Sequence, residues 1–160
     1  MPEIPTILEM MKAGVHFGHQ RSKRHPKMAP YIFGARDGVN IIDLEKTRVA
    51  IQTALEFVKK VVANGGKVIF VGTKHQAQGI VRKYAQECQM PYVVSRWLGG
   101  TLTNFSVVIE LVKKLKELRT KKDSGEWEEK YTKKEQLKLT KELTHLEEAV
   151  GGLEGLDKLP

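Results

Sequence analysis

The segment KVIFVGTKHQAQGIVRKYAQECQMPYVVS, residues 67–95, decides the fold class of this chain. It begins with a short apolar run, residues 67–72, and continues into a helical stretch that ends near Gln89. It closes with a second apolar run, residues 91–95. Short apolar strands on either side of a helix are typical of parallel β-α-β units. We therefore predict an α/β protein built around parallel strands.

The residues at the N-terminus predict a short helix followed by a loop. Thr6 and Glu9 have the spacing of a capping box, in which each side chain bonds a free amide of the first helical turn. Gly14 can end this helix in the left-handed conformation. Residues 16–30 contain Gly and Pro at positions that oppose regular structure. We expect an irregular loop there, which other parts of the protein must hold.

A β-hairpin and a long helix are predicted next. The apolar residues 31–33 and 39–42 flank the sequence GARDG, residues 34–38, whose Asp-Gly pair favours a tight turn. We expect the aromatic side chains of 31–33 to pack in the core. Asp43 is then placed to cap a helix that runs to about Ala63, where an Asn-Gly-Gly sequence ends it.

Residues 105–150 predict two helices that pack as an antiparallel hairpin. Apolar side chains recur every three or four positions in each half, which is the period of one helix face. These stripes are Val108, Leu111, Leu115 and Leu118, followed by Leu139, Leu143, Leu146 and Val150. Thr132 and Glu135 form a second capping-box pattern. Trp127, in the charged turn, either plugs the open end of the hairpin or anchors a protein partner.

These patterns divide the chain into three parts. We expect residues 1–104 to be the N-terminal part of an α/β domain, 105–150 an inserted helical hairpin, and 151–160 a linker that returns to the α/β domain. Only two parallel-type strands precede the linker, whereas an α/β sheet needs more strands to bury both of its faces. We therefore expect the C-terminal strands of the sheet to be missing.

The distribution of charge predicts a polyanionic partner. The formal net charge is +8, and residues 1–104 carry all of the excess. Between Glu9 and Asp37 there is no carboxylate, while six Lys and Arg residues fall there. Such a run neutralises phosphates and releases counterions, which is typical of nucleic-acid binding.

The sequence argues against several other functions. The turn after residues 67–72 has neither glycine spacing of the known phosphate-binding loops. A nucleotide-dependent enzyme of the doubly wound type remains the alternative. His16, His19, His25 and Cys88 lack the paired spacings of zinc modules. We expect no enzyme activity, no cofactor and no metal.

The location of the protein can also be predicted. The apolar runs are too short to span a bilayer, and the N-terminus has no signal-type stretch. A single cysteine suits a reducing compartment. We expect a cytoplasmic protein.

Seven short motifs occur in one order along nearly the whole chain. They are HFGHQ (16–20), PKM (26–28), IFGARDGVNIIDLEKT (32–47), FVGTK (70–74), RWLGGTLTN (96–104), TKKE (132–135) and LEEAVGGL (146–153). Each motif is weak alone, but their succession resembles the bacterial-type small-subunit ribosomal protein two family. The chain departs from that family at Arg24-His25, where relatives commonly carry Trp-Asn.

The resemblance implies a flavodoxin-like parallel sheet with an N-terminal β-hairpin, an inserted coiled-coil hairpin of helices, and no catalysis. Family members are structural components of the small ribosomal subunit and function in translation. The partners implied are small-subunit ribosomal RNA and neighbouring ribosomal proteins, including ribosomal protein one. Neither a membrane nor a small-molecule substrate is implied, and the expected location is the cytoplasmic ribosome, with an organellar ribosome left open.

The candidate RNA-binding residues are basic or polar and lie mostly in the predicted loops. Lys and Arg side chains neutralise phosphates, and His side chains can hydrogen-bond to nucleotides or stack on them. The set is Lys12, His16, His19, Arg21, Lys23, Arg24, His25, Lys27, Arg36, Lys74, Arg96 and Asn104. Trp127 is the candidate for partner binding.

Overall fold

The computed structural model describes residues 4–156 and 159. The chain forms two compact units, one up to Asn64 and one from Gly65 onward, and each is described by itself. Both units combine helices with a small β-sheet, so the chain has a mixed α/β structure, as the sequence predicts.

The first unit is a three-stranded antiparallel sheet with two α-helices. The elements are α1 (Ile7–Lys12), β1 (Phe17–Gln20), β2 (Ile32–Arg36), β3 (Val39–Ile42) and α2 (Leu44–Ala63). Two 3₁₀ helices, Arg21–Lys23 and Pro26–Tyr31, connect β1 to β2. The strand order is β1-β3-β2, so β3 is central.

Local sequence signals account for most of this unit. The capping box is present, since Thr6 Oγ1 accepts from the Glu9 amide at 3.3 Å and the Glu9 carboxylate accepts from the Thr6 amide at 2.7 Å. The predicted hairpin of β2 and β3 is confirmed, with Asp37 in the turn at φ +50°. Asp43 caps α2 at the Glu45 and Lys46 amides.

The prediction of an irregular loop over residues 16–30 is wrong. Phe17–Gln20 forms β1 and pairs with β3, with Phe17 opposite Ile41 and Gln20 opposite Val39. Gly18 permits this close approach, because a Cβ there would stand 2.9 Å from the carbonyl oxygen of Asn40. The pairing partners lie about 20 residues further along the chain, so no local pattern reveals them.

The expected burial of the aromatic side chains of Tyr31 and Phe33 is also wrong. Tyr31 is 54% exposed and Phe33 is 82% exposed. The side chain of Phe33 lies on a face of β2 that the other described residues of this unit leave largely uncovered. Aromatic surface therefore lies beside the basic residues.

The second unit contains the predicted β-α-β arrangement followed by helices. Its elements are β4 (Phe70–Val71), α3 (His75–Glu87), β5 (Tyr92–Val93), α4 (Phe105–Asp123), α5 (Glu126–Lys130), α6 (Lys133–Val150) and a 3₁₀ helix at Gly151–Leu153. β4 and β5 are parallel, with Phe70 opposite Tyr92 and Val71 opposite Val93. Each strand is shorter than the apolar run that predicts it.

The core of the second unit is built by the two predicted apolar stripes. Leu115 on α4 and Val150 on α6 are completely buried, and all eight stripe residues belong to the core or pack against it. Trp127 of α5 lies in this core. Leu153 and Leu156 are each 2% exposed, so residues 151–156 pack onto the helices as well.

Arg119 links α4 to α6 and to the residues that follow α6. Arg119 donates to the carboxylates of Glu147 at 3.0 Å and Glu154 at 2.9 Å. The hydrogen bond with Glu147, together with the charge of Glu154, raises the pKa of Arg119 above its ordinary value. These two hydrogen bonds therefore hold α4, α6 and residues 151–156 together.

Candidate nucleic-acid interface

The most basic part of the first unit is residues 16–36, here called the basic segment. It runs along β1, through both 3₁₀ helices and along β2. Its Lys and Arg side chains are all exposed. They are Arg21, Lys23, Arg24, Lys27 and Arg36.

Two side-chain hydrogen bonds hold the backbone of the basic segment. Asn40 of β3 donates from Nδ2 to the carbonyl oxygen of His19 at 2.7 Å. Lys46 of α2 donates from Nζ to the carbonyl oxygen of Pro30 at 2.7 Å. The basic segment is therefore anchored to regular secondary structure at His19 and Pro30, on either side of residues 21–27.

The carboxylate of Asp43, the N-cap residue of α2, already has partners within the chain. Asp43 Oδ2 lies 3.3 Å from Lys46 Nζ, and Asp43 also accepts the first-turn amides of α2. Burial raises the pKa of Asp43, but the hydrogen bonds and charge of Lys46 outweigh it, so the pKa is lowered from its ordinary value. Asp43 thus stays ionised and paired at neutral pH.

The cations of the basic segment are free to meet an external anion. Within residues 4–156, Arg21, Lys23, Arg24 and Lys27 form no ion pair. Arg36 lies 3.8 Å from Asp37, but both side chains are almost fully exposed and such pairs contribute little. An approaching phosphate would not have to displace a buried internal partner.

The histidines of the segment occupy different environments. His25 Nδ1 accepts from the Lys27 amide at 3.2 Å, so the neutral ring carries its hydrogen on Nε2, which can donate. His19 is exposed on β1. His16 is half-buried, and the centroid of its ring lies 4.1 Å from that of Phe17. Its Nδ1 atom is buried and has no hydrogen-bond partner in the described part of the chain. His16 contributes to packing, therefore, more than to an accessible surface.

The remaining candidate of the first unit is Lys12, which is exposed in the last turn of α1. Three candidates lie in the second unit. Lys74 follows β4 and Arg96 follows β5, so both lie at the edge formed by the carboxyl ends of the parallel strands. Asn104 precedes α4, and its Oδ1 accepts from Ser106 Oγ at 3.3 Å.

A family model described as ribosomal protein S2 matches residues 10–160 of the chain. The chain belongs to the ribosomal protein S2 family. A curated relative is the small ribosomal subunit protein uS2 of Francisella philomiragia subsp. philomiragia, which is 49% identical over 152 residues. The alignment covers 95% of this chain and 63% of that relative, so the chain spans less than two-thirds of the relative's length.

The family match includes every candidate RNA-binding residue, from Lys12 to Asn104. It also includes Trp127, which the sequence predicts either to close the open end of the hairpin or to anchor a protein partner. The indole is 5% exposed within the core, and its Nε1 has no hydrogen-bond partner among the described residues. In this S2-family chain the ring is therefore packed in the core of the second unit.

Residues that the sequence did not mark as candidates lie beside the basic side chains. Met28, Ile32 and Ile42 form the apolar wall of a cavity beside the basic side chains. Asn40, which is 3% exposed, lines the same cavity. The motifs mark these positions, but only the pairing of β1 with β3 brings them together.

Residues 4–156 and 159 contain neither a metal-ligand cluster nor a membrane-spanning helix. No group of three His, Cys, Asp or Glu side chains there is close enough to hold a metal ion. None of the helices in this part is both long and apolar enough to cross a membrane.

Proposed function

We propose that this chain is a structural component of the small ribosomal subunit and that its basic segment binds small-subunit ribosomal RNA. The observation that carries the proposal is a set of exposed, unpaired cations on an anchored backbone, in a member of the ribosomal protein S2 family. The 49% identical relative is named as a small-subunit protein, which supports the same conclusion.

The chemistry of the basic segment suits phosphate recognition. Lys and Arg side chains that neutralise phosphates release counterions, and contacts of this kind position a protein on RNA without reading its sequence. Anchoring by Asn40 and Lys46 reduces the conformational entropy that the segment would lose on binding. We assign these contacts to Arg21, Lys23, Arg24 and Lys27.

We propose a further RNA contact at the candidates of the second unit. Lys74 and Asn104 occupy the N-cap positions of α3 and α4, and neither side chain bonds the first-turn amides. The Ala77 and Val107 amides donate to the carbonyl oxygens of Lys74 and Asn104, so the earlier amides of each first turn and the positive end of each helix dipole are available to phosphate oxygens. Arg96, which is exposed, adds a positive charge at the same sheet edge as Lys74.

The arrangement of β4, β5 and the long helices within a larger domain can also be proposed. We propose that β4 and β5 belong to a flavodoxin-like parallel sheet and that α4 and α6 form its inserted antiparallel hairpin. The apolar β4 supports this, since Phe70 and Val71 are 37% and 52% exposed. On this view residues 1–104 belong to the α/β domain, 105–150 to the hairpin and 151–160 to the return linker.

The proposed partners follow from the same family membership. They are small-subunit ribosomal RNA and neighbouring ribosomal proteins, including ribosomal protein one, in the cytoplasmic small subunit. The comparisons offer no support for the alternative of a nucleotide-dependent enzyme.

Titration of labelled small-subunit ribosomal RNA tests this proposal. Replacing Arg21, Lys23, Arg24 and Lys27 by Gln should weaken binding strongly, because four phosphate contacts are lost. The matched control replaces Lys121, Lys122, Lys133 and Lys134, which are exposed on the helices, by Gln. Equal weakening by both sets would contradict a local interface. Tight binding of ATP or NAD instead of RNA would favour the enzyme.

A further inference from the structure

A cavity of about 280 Å³ opens within the basic segment. Met28, Ile32 and Ile42 supply its apolar wall. The two isoleucines are half-buried and Met28 is 43% exposed, so this wall faces solvent in the free chain. Apolar surface that stays open beside a strongly charged region is typical of a binding site.

The rest of the lining is basic or imidazole. His19, Lys23, Arg24 and His25 line the same cavity, and all four are exposed. Among the described residues that line it, none is a carboxylate. The cavity therefore complements a ligand with an apolar body and a negative charge beside it.

We infer that this cavity holds one unstacked nucleobase of an RNA strand whose phosphates contact the surrounding cations. The inference rests on the proposed function, because it names the part of the RNA that the same basic segment recognises. A nucleotide combines a planar base, whose two faces are apolar, with an adjacent phosphate. Proteins that recognise single-stranded RNA commonly take such splayed bases against aromatic or guanidinium planes.

Two hydrogen bonds hold part of the cavity lining before any ligand arrives. Asn40 holds the His19 carbonyl at 2.7 Å, and the Lys27 amide holds His25 Nδ1 at 3.2 Å. The second bond leaves His25 Nε2 as a donor for a base edge or a phosphate oxygen. A binding site with fixed walls loses less entropy when it closes on its ligand.

Gly18 lets β1 lie close against β3 at the wall of the cavity. A Cβ at this position would stand 2.9 Å from the Asn40 carbonyl oxygen and 3.5 Å from Ile42 Cγ1, both on residues of the lining. Any larger side chain would therefore crowd the wall against which the base is inferred to lie.

Two oligonucleotides of equal charge test the inference. One is a short oligoadenylate, and the other is the same ribose-phosphate strand without bases. Because base contacts of this kind commonly strengthen binding by about ten-fold, the unmodified chain should bind oligoadenylate about ten-fold more tightly, as measured by fluorescence anisotropy at fixed salt. Met28→Gln should remove this difference and leave the affinity for the abasic strand unchanged. Met11→Gln, at a similarly exposed position on α1, is the matched control and should keep the difference.

The outcomes separate this inference from the proposed function. Equal affinity of the unmodified chain for the two strands would overturn the base site and leave phosphate binding intact. Binding of ribosomal RNA without binding of either strand would also overturn it. Failure to bind ribosomal RNA as well would contradict the proposed function itself. Equally tight binding of an acidic peptide with one phenylalanine would show a protein-docking site instead.

Discussion

Asn40 Nδ2 lies 2.7 Å from the carbonyl oxygen of His19, and this hydrogen bond joins β3 to β1 where their pairing is irregular. The register of the two strands shifts between Phe17 and Gln20. The buried amide of Asn40 thus supplies a partner for a backbone group at the shift. The bond lies two residues before Arg21, the first Lys or Arg residue of the basic segment.

Asn40→Ala should lower the free energy of unfolding by about 1–3 kcal/mol, because it removes a buried hydrogen bond and leaves the His19 carbonyl without this partner. Chemical denaturation measures the change. Gln52→Ala, at an exposed position on α2, is the control and should have little effect. If the two variants were equally stable, the bond would not anchor the segment.

Leu115→Ala and Leu143→Ala should each destabilise the chain by about 2–4 kcal/mol, since each removes a buried side chain and leaves a cavity. Leu115 is 0% and Leu143 4% exposed within one core. Leu137→Ala is the matched control, because Leu137 is 57% exposed on α6. Melting temperatures that fell equally in all three variants would argue against the facing stripes.

The start of α6 should weaken in acid. Hydrogen bonds from the side chain and backbone amide of Thr132, at 2.8 and 2.9 Å, lower the pKa of Glu135 from its ordinary 4.5. The resulting stabilisation is complete above pH 4.5 and is lost as pH falls through the lower, folded-state pKa. Glu135→Gln should flatten this part of a helicity-against-pH profile. Glu129→Gln, on α5, should leave the profile unchanged, and an identical acid loss in Glu135→Gln would refute the role of this carboxylate.

The amides of β4 should exchange with solvent in an alternating pattern. Phe70 and Gly72 donate to the carbonyl oxygens of Pro91 and Val93, each at 2.9 Å. Because successive amides of a strand point to opposite sides, the Val71 amide faces away from β5. In a dilute monomer, Phe70 and Gly72 should be protected from hydrogen exchange and Val71 should exchange quickly. Strong protection of Val71 would mean that another segment covers this edge.

The sequence predicted the elements whose signals are local. The capping box at Thr6, the turn at 37–38 and the stripes on α4 and α6 each depend on residues a few positions apart. Local backbone and packing preferences act over that range, so the patterns were sufficient. The burial of Trp127 in the core then favours one of the two roles that the sequence left open.

What the sequence could not predict depends on distant partners. β1 forms only because β3, some 20 residues later, supplies its hydrogen bonds. The cavity needs Gly18 and Ile42 side by side, and no spacing rule connects them. The basic residues themselves were predictable from composition, but the apolar wall between them required the fold.

The salt dependence of binding to small-subunit ribosomal RNA tests the central claim most directly. We expect the logarithm of the association constant to fall linearly with the logarithm of salt concentration. Replacing Arg21, Lys23, Arg24 and Lys27 by Gln should reduce the slope by about 0.7 to 0.9 for each lost phosphate contact. An unchanged slope in this variant would contradict the assignment of phosphate binding to the basic segment.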